Sequence, residues 1–142
     1  MDQSTGTDEA GGPVRAVGRF ALAALLVTSG AGHLLSPETF LAQVPPWFPG
    51  PGVVIFVSGI IELALAGALV LGSRRRAQIG WVVAAFFVLI FPGNISQAIT
   101  GADAFGLDSP TARWLRLAFQ PVLVAWALWC TGAWRVWRRR RR

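Results

Sequence analysis

The sequence predicts an all-α, membrane-embedded four-helix bundle with both termini in the cytoplasm, and three observations carry that expectation. Of the 142 residues, 54% are apolar and only 14% are charged, against about 25% charged in ordinary soluble domains. The apolar residues gather into four segments near the length a bilayer needs, about 17–25 residues. All 13 basic residues are arginine, and most sit in short clusters at the ends of those segments. A mean hydropathy of +0.52 excludes a disordered chain and argues against a soluble domain. The net charge of +6 invites a nucleic-acid reading, but arginines flanking apolar runs are how membrane proteins are built, so no nucleic-acid partner is expected.

The four spans are expected at about 17–35, 53–72, 79–99 and 114–137. Residues 1–14 read as a disordered polar tail, 15–137 as the bundle and 138–142 as a basic tail. The second span is interrupted only by Glu62, and the third crosses Pro92-Gly93. Arg15 and Arg19 precede the first span, Arg74, Arg75 and Arg76 join spans two and three, and Arg135 leads into the terminal run. The loop between spans one and two has no arginine, and the loop between three and four has only Arg113, with Arg116 just inside the helix. Positive loops stay inside, which places two loops outside and the chain in the bacterial cytoplasmic (inner) membrane. A secretory signal peptide is the competing reading of the first segment, with Ser29-Gly30-Ala31 as its cleavage site. The stretch is long for that, and losing it would put the new N-terminus opposite to what the other loops ask for.

Residues 36–43 read as a short helix at the outer interface, with Ser36 as N-cap, Pro37 at the first helical position and Glu38 near the positive dipole end. The proline-rich stretch 45–52 returns the chain to the membrane, with Trp47 and Phe48 as interface anchors. Trp81, Trp114, Trp134 and Trp137 fall near span ends in the same role. Arg138, Arg139, Arg140, Arg141 and Arg142 follow the last span, where each arginine near the surface holds anionic lipid by about 1 kcal/mol.

The polar residues inside the spans are the candidates for chemistry. Ser29 and His33 are four apart on the first helix, Ser58 and Glu62 four apart on the second, and Asn94 and Gln97 three apart on the third. Arg113, Arg116 and Gln120 follow three-then-four spacing on the fourth. Such spacings share a helix face, so each helix presents one polar stripe. At 1.5 Å per residue, Glu62 lies roughly 14 Å below the outer end of its span, Asn94 and Gln120 roughly 9 Å, and His33 and Arg116 within roughly 5 Å. One polar pocket opening outward is the expectation. The plain alternative is cross-helix bonding, worth roughly 0.6 kcal/mol per pair, and for Ser58, Asn94, Gln97 and Gln120 it is the stronger of the two. Glu62 differs, because a midplane carboxyl must be protonated or paired with Arg116 or His33, and intramembrane acids are functional by default. His33 has a plain reading too, as a helix cap near water. Pro92-Gly93 should free a backbone carbonyl about one turn earlier, near Val88, and Gly59, Ala66 and Gly67 facing Gly30 and Gly32 supply surfaces for close helix contact. With a single cysteine, Cys130, and a single histidine, no disulfide, thiolate zinc site or all-histidine metal site is expected within one subunit.

The sequence resembles the DoxX-like family of small bacterial membrane proteins. The matching elements are Gly32-His33 with Pro37 and Phe40, then Val44-Pro45-Pro46-Trp47, then Ser58-Gly59 with Glu62. They continue as Phe91-Pro92-Gly93-Asn94 and as Arg116-Leu117 with Gln120 and Trp126, covering residues 17–132. The resemblance implies four membrane helices and an association with redox systems, such as a thiosulfate:quinone oxidoreductase or a membrane complex handling oxidative stress. Without paired cysteines, a thiol relay by the chain's own residues is not supported. Arginine without lysine, beside abundant alanine and glycine, suggests a high-GC bacterium.

Three functions follow as expectations. The first is a membrane subunit of a redox system holding a quinone. Glu62 and His33 would move protons, Asn94, Gln97, Ser58 and Gln120 would hold the ligand, and Arg116 would stabilise developing negative charge. Electrons would come from a soluble or membrane redox partner or a bound cofactor. The second is a small proton-coupled transporter, working as a homodimer. The third is an assembly or scaffold subunit whose polar groups only fix helix register.

Overall fold

The computed structural model describes residues 12–102 and 109–142; the polar tail expected at the N-terminus lies almost wholly outside them. Among the described residues the chain is all α, with no strand. Helix α1 runs Pro13–Leu35, with proline at its first position, where the missing N–H is no loss. It therefore begins a few residues ahead of the expected span. The short α2, Pro37–Phe40, continues as a 3-10 turn over Leu41–Gln43, which is the expected outer segment. Ser36 does occupy its N-cap position, but its side chain makes no capping bond.

Helix α3, Pro51–Leu71, starts after Gly50, whose φ of 67° only glycine adopts without strain. Helices α4 (Arg76–Leu89) and α5 (Phe91–Thr100) are two parts of the third apolar segment, divided at Ile90 by Pro92. Helix α6, Pro110–Cys130, is capped by the Ser109 hydroxyl accepting from the Ala112 N–H at 3.2 Å. The helix of the fourth apolar segment, expected to run to residue 137, is broken after Cys130. The chain turns at Gly132 (φ 72°) into α7, Ala133–Arg140, at 71° to α6. Arginine-rich α7 leaves the direction of α6 because its charged side chains favour water or headgroups over an apolar span.

By length and composition, three helices can cross a membrane, and four if α6 and α7 count as one bent span. Helix α1 packs on α3 and α4 on α6, and the pairs meet through α1 with α6 and α3 with α4. Leu22, Leu26, Leu69 and Val83 are fully buried at the centre, with Phe86, Phe87, Leu123 and Ala127 around them. Yet only 28 to 33% of the apolar window in each spanning helix is buried. Phe56, Val82, Val88, Phe119 and Val122 stand exposed, far more apolar surface than a soluble monomer carries.

Candidate functional site

The candidate site lies where α1 crosses α3. Gly30 and Gly59 let the two backbones touch: a Cβ on Gly30 would stand 2.9 Å from the Gly59 carbonyl oxygen, and one on Gly59 would stand 2.9 Å from the His33 Cβ. That closeness brings Ser29 and His33 of α1 onto Glu62 of α3. The Ser29 hydroxyl donates to Glu62 Oε1 at 3.1 Å. His33 Nδ1 lies 3.1 Å from Glu62 Oε2 and 2.9 Å from the Ser29 carbonyl oxygen. A carbonyl only accepts, so Nδ1 carries the proton. One N–H aligned on the carbonyl leaves Oε2 buried beside the imidazole without a hydrogen bond of its own. Glu62 is 4% exposed, a depth at which an isolated carboxylate is strongly disfavoured.

The imidazole is held from its other side by Phe40 of α2, ring centroids 3.9 Å apart and tilted by 30°. Phe40 is buried, and a Cβ on Gly32 would meet its ring at 3.0 Å, so α2 is seated directly on α1. Behind it, a Cβ on Gly93 would stand 2.6 Å from the Gln43 carbonyl oxygen, which fixes the 3-10 turn onto α5. Helix α2 and the 3-10 turn thus cover the C-terminal end of α1 and the start of α5.

The remaining sequence candidates form separate contacts. Gln120 is buried and its Nε2 donates to the Phe87 carbonyl oxygen at 2.9 Å. The carbonyl it satisfies is one residue before the expected Val88, at the break before Pro92. Gln97 is buried, accepts from Arg116 Nη1 at 3.1 Å and donates to the Ala102 carbonyl oxygen at 3.3 Å. Arg113 Nη1 donates to the Gly101 carbonyl oxygen at 2.9 Å. Ser58 and Asn94 are half-buried, and neither side chain makes a hydrogen bond among the described residues. Of the two partners weighed for Glu62, it is His33 that the structure brings to it, while Arg116 reaches Gln97. Among the described residues no group of histidine, cysteine, aspartate and glutamate is placed to hold a metal ion.

Phe40 and Gly30 are the residues of this site that residue spacing did not assign to it. Phe40 could have been found as the one large apolar side chain on an otherwise polar outer helix. What fold and site define together is an all-helical chain with apolar helices of membrane-crossing length and an acid–imidazole pair buried between two of them. The chain belongs to a family described as a domain of unknown function (DUF8561), whose model matches residues 22–131. That membership corrects the DoxX-like resemblance, and the redox associations implied by it fall with it. The motifs behind the resemblance are short, and their contents are what any small bundle of apolar helices needs: polar residues three or four apart, paired glycines and a proline break. No curated protein and no solved structure matches the chain.

Proposed function

We propose that this chain is an integral membrane protein of four spans, with both termini cytoplasmic, that moves a proton through the Glu62–His33 pair in the outer half of the bundle. The observation that carries the reading is the pair itself: a buried carboxyl with one oxygen bonded to Ser29 and the other 3.1 Å from an imidazole nitrogen. The imidazole side chain is 11% exposed and the carboxyl 5%, so exchange with the outside runs through His33. Buried ionisable pairs of this kind mark proton relays and substrate paths in membranes. Proton-coupled movement of a small solute is the reading favoured here. The quinone-linked reading drew its redox half from the resemblance, whereas the proton half stands on the geometry.

The test uses the full chain alone in sealed vesicles with a pH-sensitive dye inside and an imposed pH gradient, assayed across a panel of small solutes. Solute-dependent proton movement that is lost in Glu62→Gln, a variant still able to accept from Ser29, is the expected result. Movement unchanged in Glu62→Gln would sink the proton role. A second measurement separates the quinone reading: mass spectrometry of the organic extract from wild type, Glu62→Ala and His33→Ala. A quinone enriched in wild type and lost in both variants would replace solute transport with redox chemistry at the same pair.

A further inference from the structure

At the opposite end of the helices lies a cavity of about 350 Å³. It is lined by Arg15 and Arg19 of α1, Arg74 and Arg76 around the start of α4, and Arg135 and Arg139 of α7. The sequence spreads these arginines over three clusters, and the fold brings them to one space. Among the described residues the only side-chain carboxylates are Glu38 and Glu62, and neither lines it.

Three of the guanidinium groups are also incompletely bonded. Arg15 Nη1, Arg19 Nε and Arg76 Nε are buried without a hydrogen-bond partner. Arg19 is 7% exposed, and among the described residues no carboxylate pairs with it. Arg15 stands over the Trp129 ring at 6.0 Å and Arg19 over Phe20 at 5.1 Å, contacts that orient the side chains but leave those N–H groups unused. The first turns of α1 and α4 and the N-cap of α7, Gly132, also line the cavity. The positive ends of three helix dipoles therefore add to the arginines, against the one negative end, that of α6 at Cys130 and Thr131.

We propose that this cavity binds a phosphate-bearing anion, presented as a lipid headgroup or as a free phosphate compound. The guanidinium fork matches phosphate oxygens two at a time. A single carboxylate would neutralise one charge among six arginines, whereas a phosphate group brings more charge and more acceptors to the same space. The volume sits at the lower end of small-molecule sites, about 300–1,000 Å³, and fits a headgroup or a pyrophosphate better than a nucleic acid. The site is independent of the Glu62–His33 pair, since Arg19 and His33 are about 20 Å apart along the axis of α1.

The test titrates the full chain, purified in neutral detergent and phosphate-free buffer, with sodium pyrophosphate by calorimetry. In parallel, native mass spectrometry follows retention of phosphatidylglycerol against phosphatidylcholine. Saturable pyrophosphate binding assigns a free anion, and selective phosphatidylglycerol retention without it assigns a headgroup. In either arm, Arg76→Gln and Arg135→Gln should weaken binding at least tenfold. Arg135 is exposed at the rim, so its variant stays informative if a buried arginine proves necessary for folding. Arg75→Gln removes the same charge from a residue between two lining arginines that does not itself line the cavity, and should change binding less than twofold. Absence of binding in both arms overturns the proposal, as does an equal loss in Arg75→Gln, which would mean diffuse charge attraction.

Discussion

The two polar regions of this molecule solve the same problem in opposite ways. Where α1 crosses α3, the Ser29 hydroxyl donates to one oxygen of the Glu62 carboxyl, the His33 N–H donates to the Ser29 carbonyl oxygen, and the imidazole lies against the other carboxyl oxygen. Beyond them Gln97, Arg116 and Gln120 find carbonyl or amide partners in the neighbouring helices. At the other end, six arginines surround one cavity and three of their nitrogens are buried without a bond. A set of groups that places donors beside acceptors is held by the fold and fixes helix register. A set of like charges opposes the fold until something of opposite sign arrives. The first region is therefore expected to govern stability, and the second to respond to what the solution contains.

Substitutions sharpen that contrast. The largest effect is expected from Gly59→Val, because its Cβ would stand 2.9 Å from the His33 Cβ and 3.0 Å from the Gly30 carbonyl oxygen. Overpacking of this kind costs about 1–3 kcal/mol or more. It should lower the melting temperature in detergent and abolish any activity of the Glu62–His33 pair. Next comes Gln120→Leu, which leaves the buried Phe87 carbonyl unanswered; a loss of about 1–3 kcal/mol is expected, read from the same melts. Ser29→Ala should cost a comparable amount, about 1–3 kcal/mol, since it removes the one hydrogen bond that the buried Glu62 carboxyl accepts. The smallest effect is assigned to Arg19→Met, a buried charge replaced by an apolar chain of similar length. In phosphate-free buffer it should cause no loss of stability, because an uncompensated charge disappears. The same variant should also lose any thermal stabilisation that pyrophosphate gives the wild type. If Arg19→Met proved as damaging as Gly59→Val, the contrast between the two regions would collapse.

Much of the first region was legible before any coordinates. The four-residue spacings of Ser29 with His33 and of Ser58 with Glu62 each define one helix face, and two of those faces do meet. The glycines expected to permit close contact do so at Gly30 and Gly59. What was not legible is the choice of partners. Arg116 and His33 were both within reach of Glu62 on spacing alone, and Ser58, four residues from Glu62, makes no bond there. The proline break near Val88 was expected, but not that Gln120 of a different helix would donate to the neighbouring Phe87 carbonyl there. The break in the fourth segment was not legible, because tryptophans continue through Trp134 and Trp137, whereas Gly132 turns the chain 71°. The family resemblance failed for a related reason, in that short motifs of small and polar residues report the needs of apolar helices rather than descent.

The sequence by itself determined helical content, the apolar segments long enough for a membrane, and which residues share a helix face. These depend on composition and on a period of about 3.6 residues, both local properties of the chain. Only the tertiary structure decided that α1 lies against α3 closely enough for Glu62 to meet His33. It alone decided that arginines from the first turns of α1, the start of α4 and α7 converge on one cavity. Contact between distant segments depends on which small residues let two backbones approach and on where a glycine lets the chain turn. Those are properties of pairs of helices, and no stretch of sequence carries them alone.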